Sequence, residues 1–159
     1  MAENSQSLRG SSQKRLIEAL QANWQAEMSG FHTYSALAAR ETDPQRRSSL
    51  RGLARAEKHH AELWAKRLEE VGAAMPQYSG SESGEADTLS ARIGGDALAL
   101  RRLELEESRD IAKYGRQLRE LGDEPSLAIL HEVVADEQDH YKVLGSRERR
   151  VGSAMPSTA

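Results

Sequence analysis

Six residues in this sequence have the types and spacing of a metal-binding core: Glu27, Glu57, His60, Glu107, Glu137 and His140. Two of the glutamates open a Glu-x-x-His, at Glu57 and at Glu137. On a helix, side chains three residues apart are neighbours, so each such pair can reach one ion. Glu27 and Glu57 are 30 residues apart, and so are Glu107 and Glu137. If each pair brackets a helical hairpin, about fifteen residues out and fifteen back return the second glutamate to the level of the first. Four carboxylates would then meet at one height. Bare like charges in a low-dielectric core cost several kcal/mol each, and divalent cations relieve that cost more completely than protonation does. Mixed carboxylate and imidazole donors suit iron or manganese, and zinc would also bind. Two glutamates could bridge two ions while the other ligands cap the ends, leaving open positions for oxygen species. One Glu-x-x-His on an Ala/Glu-rich helix means little; the agreement of six positions in face, height and order carries the weight.

Those residues need helices to aim them. Four stretches show helical periodicity, roughly 13–41, 45–71, 96–121 and 125–147. The apolar face of the first is Leu16, Leu20, Trp24, Phe31, Tyr34 and Ala38, with Glu27 at its centre. Leu50, Leu53, Ala61, Trp64 and Leu68 frame Glu57 in the second. Leu100, Leu103, Ile111, Tyr114 and Leu118 frame Glu107, and Leu130, Val133, Val134, Tyr141 and Leu144 frame Glu137. On the same angular count only His60 and His140 lie near a core face; His32, His59 and His131 point outward. Glu27 and Glu107 share a following pattern, an apolar residue one turn on (Phe31, Ile111) and a tyrosine after two turns (Tyr34, Tyr114). The two halves are thus related by a pseudo-two-fold axis.

Thr42-Asp43-Pro44 and Gly122-Asp123-Glu124-Pro125 are stop-and-start signals, and both connections are short enough to join antiparallel neighbours. Gly72 to Gly95 is far longer, with room for one short helical piece at Leu89, Ala91 and Ile93. Such a segment can run the length of a bundle. The expected fold is all-α: a ferritin-like four-helix bundle over residues 13–147, made of two antiparallel hairpins joined by a long crossover. Residues 1–12 read as a disordered N-terminal tail and 148–159 as a flexible C-terminal one.

Composition bounds the function. The 159 residues suffice for one domain, and 30% charged against 4% aromatic residues is a helix-forming balance. The net charge is −3 with both signs interspersed, which gives no basic stripe for nucleic acid. The chain has no cysteine, so disulfides, thiolate zinc sites and iron–sulfur or rubredoxin-type centres are excluded. No signal-peptide core and no membrane segment stand out, so a cytoplasmic protein is expected.

The pattern over residues 13–147 resembles the rubrerythrin branch of the ferritin-like di-iron proteins, on the strength of Glu27, Glu57-x-x-His60, Glu107 and Glu137-x-x-His140. Rubrerythrins carry a further carboxylate one turn before the third-helix ligand, and Glu104 stands there, ahead of Glu107. Trp24-Gln25-Ala26-Glu27 and Leu53-Ala54-Arg55-Ala56-Glu57 also resemble the soluble ferritin-like domain attached to some vacuolar-type iron transporters. The resemblance implies two iron ions per chain, with manganese or zinc as substitutes. Glu57 and Glu137 would bridge them, Glu27, Glu107, His60 and His140 would be terminal ligands, and Glu104 a supplementary one. Tyr34 and Tyr114 would hydrogen-bond ligating carboxylates, although core tyrosines with satisfied hydroxyls look the same in sequence. Asp110 could orient a histidine, though a surface salt bridge is its more ordinary use. The implied activity is oxidation of Fe(II) by hydrogen peroxide or oxygen, a peroxidase or ferroxidase role in oxidative stress and iron homeostasis. Without a rubredoxin centre, reducing electrons would come from a separate donor protein. Self-association, for instance as a homodimer, fits this family. A non-enzymatic iron-binding, storage or delivery module and a dimanganese catalase-like enzyme are the competing functions.

Overall fold

The computed structural model describes residues 2–88, 108–109 and 112–151, with side chains described over 9–88, 108–109 and 112–139. No strand occurs among the described residues. Helix α1 spans Ala2–Arg40 and α2 spans Pro44–Glu70. Residues 112–121 form α3, and Glu124–Val151 form α4. α1 is already helical at Ala2 and α4 runs on to Val151, beyond the 13–147 span at both ends. Residues 9–15 are exposed, so this first stretch extends α1 outside the core.

The turns form for local reasons. Asp43 is the N-cap of α2, its carboxylate accepting from the Arg46 amide at 2.7 Å, with Pro44 in the first turn. Asp123 does the same for α4 through the Ser126 amide at 3.2 Å. Gly122 closes α3 at φ 66°, a left-handed position that a residue without Cβ adopts freely, and its amide bonds back to Leu118 O at 3.1 Å.

The crossover can be followed as far as residue 88. It is a strap tied along α1: Gln25 Nε2 donates to Gln77 O at 2.6 Å, His32 Nδ1 lies 3.1 Å from Glu82 O, and the Glu85 amide donates to Thr33 Oγ1 at 2.9 Å. Arg40 then pairs with Asp87. The strap therefore climbs α1 from Gln25 to Arg40, returning the chain to the 41–43 turn. The short helical piece that the sequence allows at Leu89, Ala91 and Ile93 lies outside the described residues. At the opposite end Arg67 donates to both oxygens of Asp123, at 2.9 and 3.2 Å, and locks the second hairpin's turn against the foot of α2. Hairpin, crossover and hairpin follow in the expected order.

Two apolar clusters fill the core. The larger holds Leu20, Trp24, Trp64, Leu68, Leu118, Leu130 and Val133. The smaller, nearer the 41–43 turn, holds Tyr34, Ala38, Leu50, Leu53 and Ala54. On both α1 and α2 the sequence between the two clusters contains the buried acids and a histidine, so a polar layer divides the apolar core.

Candidate metal centre

That layer is built from α1, α2 and α4. Glu57 and His60 lie three residues apart on α2 and are 3% and 0% exposed; Glu27 on α1 is 9% exposed. Each of these three offers a ligand atom within 4.8 Å of the others. Nδ1 of His60 lies 3.4 Å from Oε2 of Glu27 and 3.8 Å from Oε1 of Glu137, reaching from α2 to both α1 and α4. Of the residues picked out by spacing, the structure thus gathers Glu27, Glu57, His60 and Glu137. Glu104 and Glu107 lie outside the described residues, as does the side chain of His140 on α4.

Gly30, one turn after Glu27, makes room for this arrangement. A Cβ built there would stand 2.5 Å from Oε2 of Glu57, so the carboxylate of α2 rests directly against the α1 backbone. Tyr34 is buried above the layer, while Tyr114 is half-buried with the Lys113 ammonium 5.5 Å from its ring centre. His59 is exposed beside Glu132 at 3.3 Å, and His131 is exposed, as their outward angles require. His32 departs from expectation: it is half-buried, stacked on Tyr78 of the strap with ring centroids 4.5 Å apart.

Two partners were not legible as site residues. Nε2 of His60 lies 3.0 Å from Oδ2 of Asp136, which holds the far side of the ring. Asp110 lies outside the described residues, so the aspartate seen orienting a histidine is Asp136. The available signal was an acid directly before Glu137; the first hairpin has Ala56 at that place, which breaks the pseudo-two-fold symmetry. The second partner is Trp64, whose indole donates to Oε1 of Glu27 at 3.3 Å. A buried indole ordinarily seeks an acceptor, and that rule applied to an apolar-face tryptophan would have pointed to Glu27.

The electrostatics follow from the geometry. Burial alone lowers the pKa of His60, but the carboxylates of Glu27, Asp136 and Glu137 outweigh it and raise it from 6.5 to about 9. Without metal, a charged His60 compensates the acids. Its Nδ1 is nevertheless buried without a hydrogen bond, although carboxylate oxygens stand close by. An orphaned imidazole nitrogen facing oxygen donors, with its other nitrogen anchored to a carboxylate, fits a cation in place of the Nδ1 proton. The donor set, oxygens with one imidazole, suits iron, manganese or zinc.

Fold and site together define an α-helical protein with a buried carboxylate–histidine group able to hold metal. The family model for rubrerythrin matches residues 18–146, about four fifths of the chain, and the chain belongs to the rubrerythrin family. No curated protein and no solved structure matches it. No helix among the described residues is long and apolar enough to cross a membrane.

Proposed function

We propose that this chain binds two iron ions in the polar layer and oxidises Fe(II) with hydrogen peroxide or oxygen. The observation that supports it most is Nδ1 of His60, buried, unbonded and facing Glu27 and Glu137. Glu57 and Glu137 would be shared between the ions, Glu27, Glu107, His60 and His140 would each hold one, and Glu104 would supplement Glu107. Tyr34 and Tyr114 would hydrogen-bond the ligating carboxylates. When bound, two Fe(II) ions together supply the two electrons that reduce hydrogen peroxide to two waters, with two protons taken up.

The chain's own residues prepare that chemistry. Glu27, Glu57 and Glu137 neutralise the cations where water is scarce. Asp136 accepts a hydrogen bond from Nε2–H of His60, so Nδ1 is the nitrogen that gives up its proton to metal. Loading expels the Nδ1 proton that His60 carries in the apo protein, so binding is coupled to proton release. The apolar clusters above and below exclude bulk water. Reducing electrons would come from a separate donor protein.

Anaerobic loading with Fe(II), desalting and elemental analysis should give about two irons per chain, the count that two Glu-x-x-His units imply. Stopped-flow mixing should show faster oxidation with peroxide than with oxygen. Glu57→Ala and Glu137→Ala should each abolish it. A metal ratio near zero ends the proposal; rapid reaction with oxygen followed by mineral growth would favour storage instead.

A further inference from the structure

We infer that Trp64 is a positioning residue for the metal: its indole N–H engages Oε1 of Glu27 and leaves Oε2 as the one oxygen presented to the ion beside His60. The inference rests on the metal-binding reading above and adds a residue and a coordination mode to it.

Glu57, His60 and Trp64 form one stripe on α2, three and then four residues apart, all buried. Trp64 is 1% exposed and packs within the larger apolar cluster with Leu20, Leu68 and Leu130. Its ring is therefore held by core packing, which fixes the direction of its only polar atom. Indole is a donor without an acceptor and keeps its proton at any ordinary pH, so the partnership with Glu27 has a fixed sense. The two oxygens of Glu27 then have different surroundings. Oε1 lies 3.3 Å from the indole nitrogen, and Oε2 lies 3.4 Å from Nδ1 of His60. An ion taking the place of the Nδ1 proton meets Oε2 first. A carboxylate with Oε1 engaged in this way is biased toward binding through Oε2 alone, whereas a released one can turn and chelate with both. One-oxygen binding keeps the coordination number low and a position open for the oxidant.

Trp64→Phe retains a buried ring and removes the donor. Cobalt(II) is the probe, since its visible ligand-field band strengthens as coordination number falls. In the variant we expect about tenfold weaker cobalt affinity, as is usual for loss of a hydrogen-bonding partner of a metal ligand. We also expect a weaker band, from a Glu27 that chelates. Wild-type affinity together with a wild-type band in the variant overturns the inference and leaves the metal-binding reading intact. Failure of the wild-type protein to bind cobalt sinks both. A second measurement does not depend on the variant's folding. In apo protein labelled with ¹⁵N-indole, Glu27→Gln should move the Trp64 N–H resonance upfield and by more than that of Trp24, with Trp24→Phe giving the assignment. A Trp64 resonance that moves no more than that of Trp24 overturns the inference as well.

Discussion

Adding one methyl group at Gly30 should separate stability from metal binding. A Cβ there would sit 2.5 Å from Oε2 of Glu57, 3.0 Å from its Cδ and 3.2 Å from its Cγ. The oxygen must retreat by about 0.9 Å to reach ordinary van der Waals contact. Gly30 is a helix-interior glycine, so alanine by itself favours the α1 helix by roughly 0.8–1.0 kcal/mol. Glu57 approaches through the end of a flexible side chain, so the apo protein can accommodate the methyl by swinging the carboxylate away. The apo Gly30→Ala protein should therefore be between unchanged and about 1 kcal/mol more stable, a rise of up to roughly 2–4 °C in melting midpoint. Metal binding moves the other way. Metal–ligand distances are held to about 0.2 Å, several times less than the forced retreat, so affinity for Fe(II) or cobalt(II) should fall at least about tenfold. Calorimetric titration and paired thermal melts with and without metal read both quantities. Undiminished metal affinity would refute the role given to the Gly30 berth. A loss of more than about 2 kcal/mol in the apo protein would show that Glu57 cannot yield, and that the methyl acts as overpacking.

Three further outcomes follow from the same geometry. The folded-state pKa of His60, about 9 against 6.5, means that its protonation favours the fold. That contribution, up to about 3 kcal/mol, is complete below about pH 6.5 and lost as pH rises through 9. Melts of apo protein from pH 6 to 9.5 should show the decline and His60→Gln should flatten it; a wild-type profile matching His60→Gln would sink the reasoning. Asp136→Asn should weaken metal binding by about 10–100-fold through loss of the anchor at Nε2, while His59→Ala, at an exposed position, leaves titrations unchanged. Equal losses in the two variants would contradict the assigned α2 face. Asp123→Ala removes the α4 cap and the acceptor of Arg67 together and should cost about 2 kcal/mol or more in denaturant titration, with metal stoichiometry retained. Burial raises the pKa of Asp123, but Ser126 and Arg67 outweigh it and lower it. Its contribution is therefore present above the unfolded carboxyl value and lost as pH falls through the folded one.

How much of this was legible in the chain depends on what each feature needs. Periodicity and caps depend on neighbours in sequence. The helix pair α1–α2, the turns at Asp43-Pro44 and Gly122-Asp123, and the burial of Glu27, Glu57 and His60 could thus be read from residue order alone. Glu137 stands 3.8 Å from His60, while Glu107, whose level the equal spacing sets through the short turn at 122, lies outside the described residues. What remained hidden depends on rotation of one helix about its axis relative to another, which no local rule sets. A difference of one residue in facing separates Asp136, which holds Nε2 of His60, from an ordinary surface acid. The same holds for His32, which faces outward on α1 but is covered because the strap passes over it and lays Tyr78 on its ring. Trp64 and Gly30 looked like filler for an apolar face and a weak point in a helix. Only close packing of α1 on α2 turns them into a donor to Glu27 and a berth for Glu57. The sequence by itself determined that Glu27, Glu57 and His60 enter the core, because helical periodicity is local; the tertiary structure decided which oxygen of Glu27 meets the indole of Trp64 and which nitrogen of His60 faces Glu27, because that depends on how the helices are turned against one another.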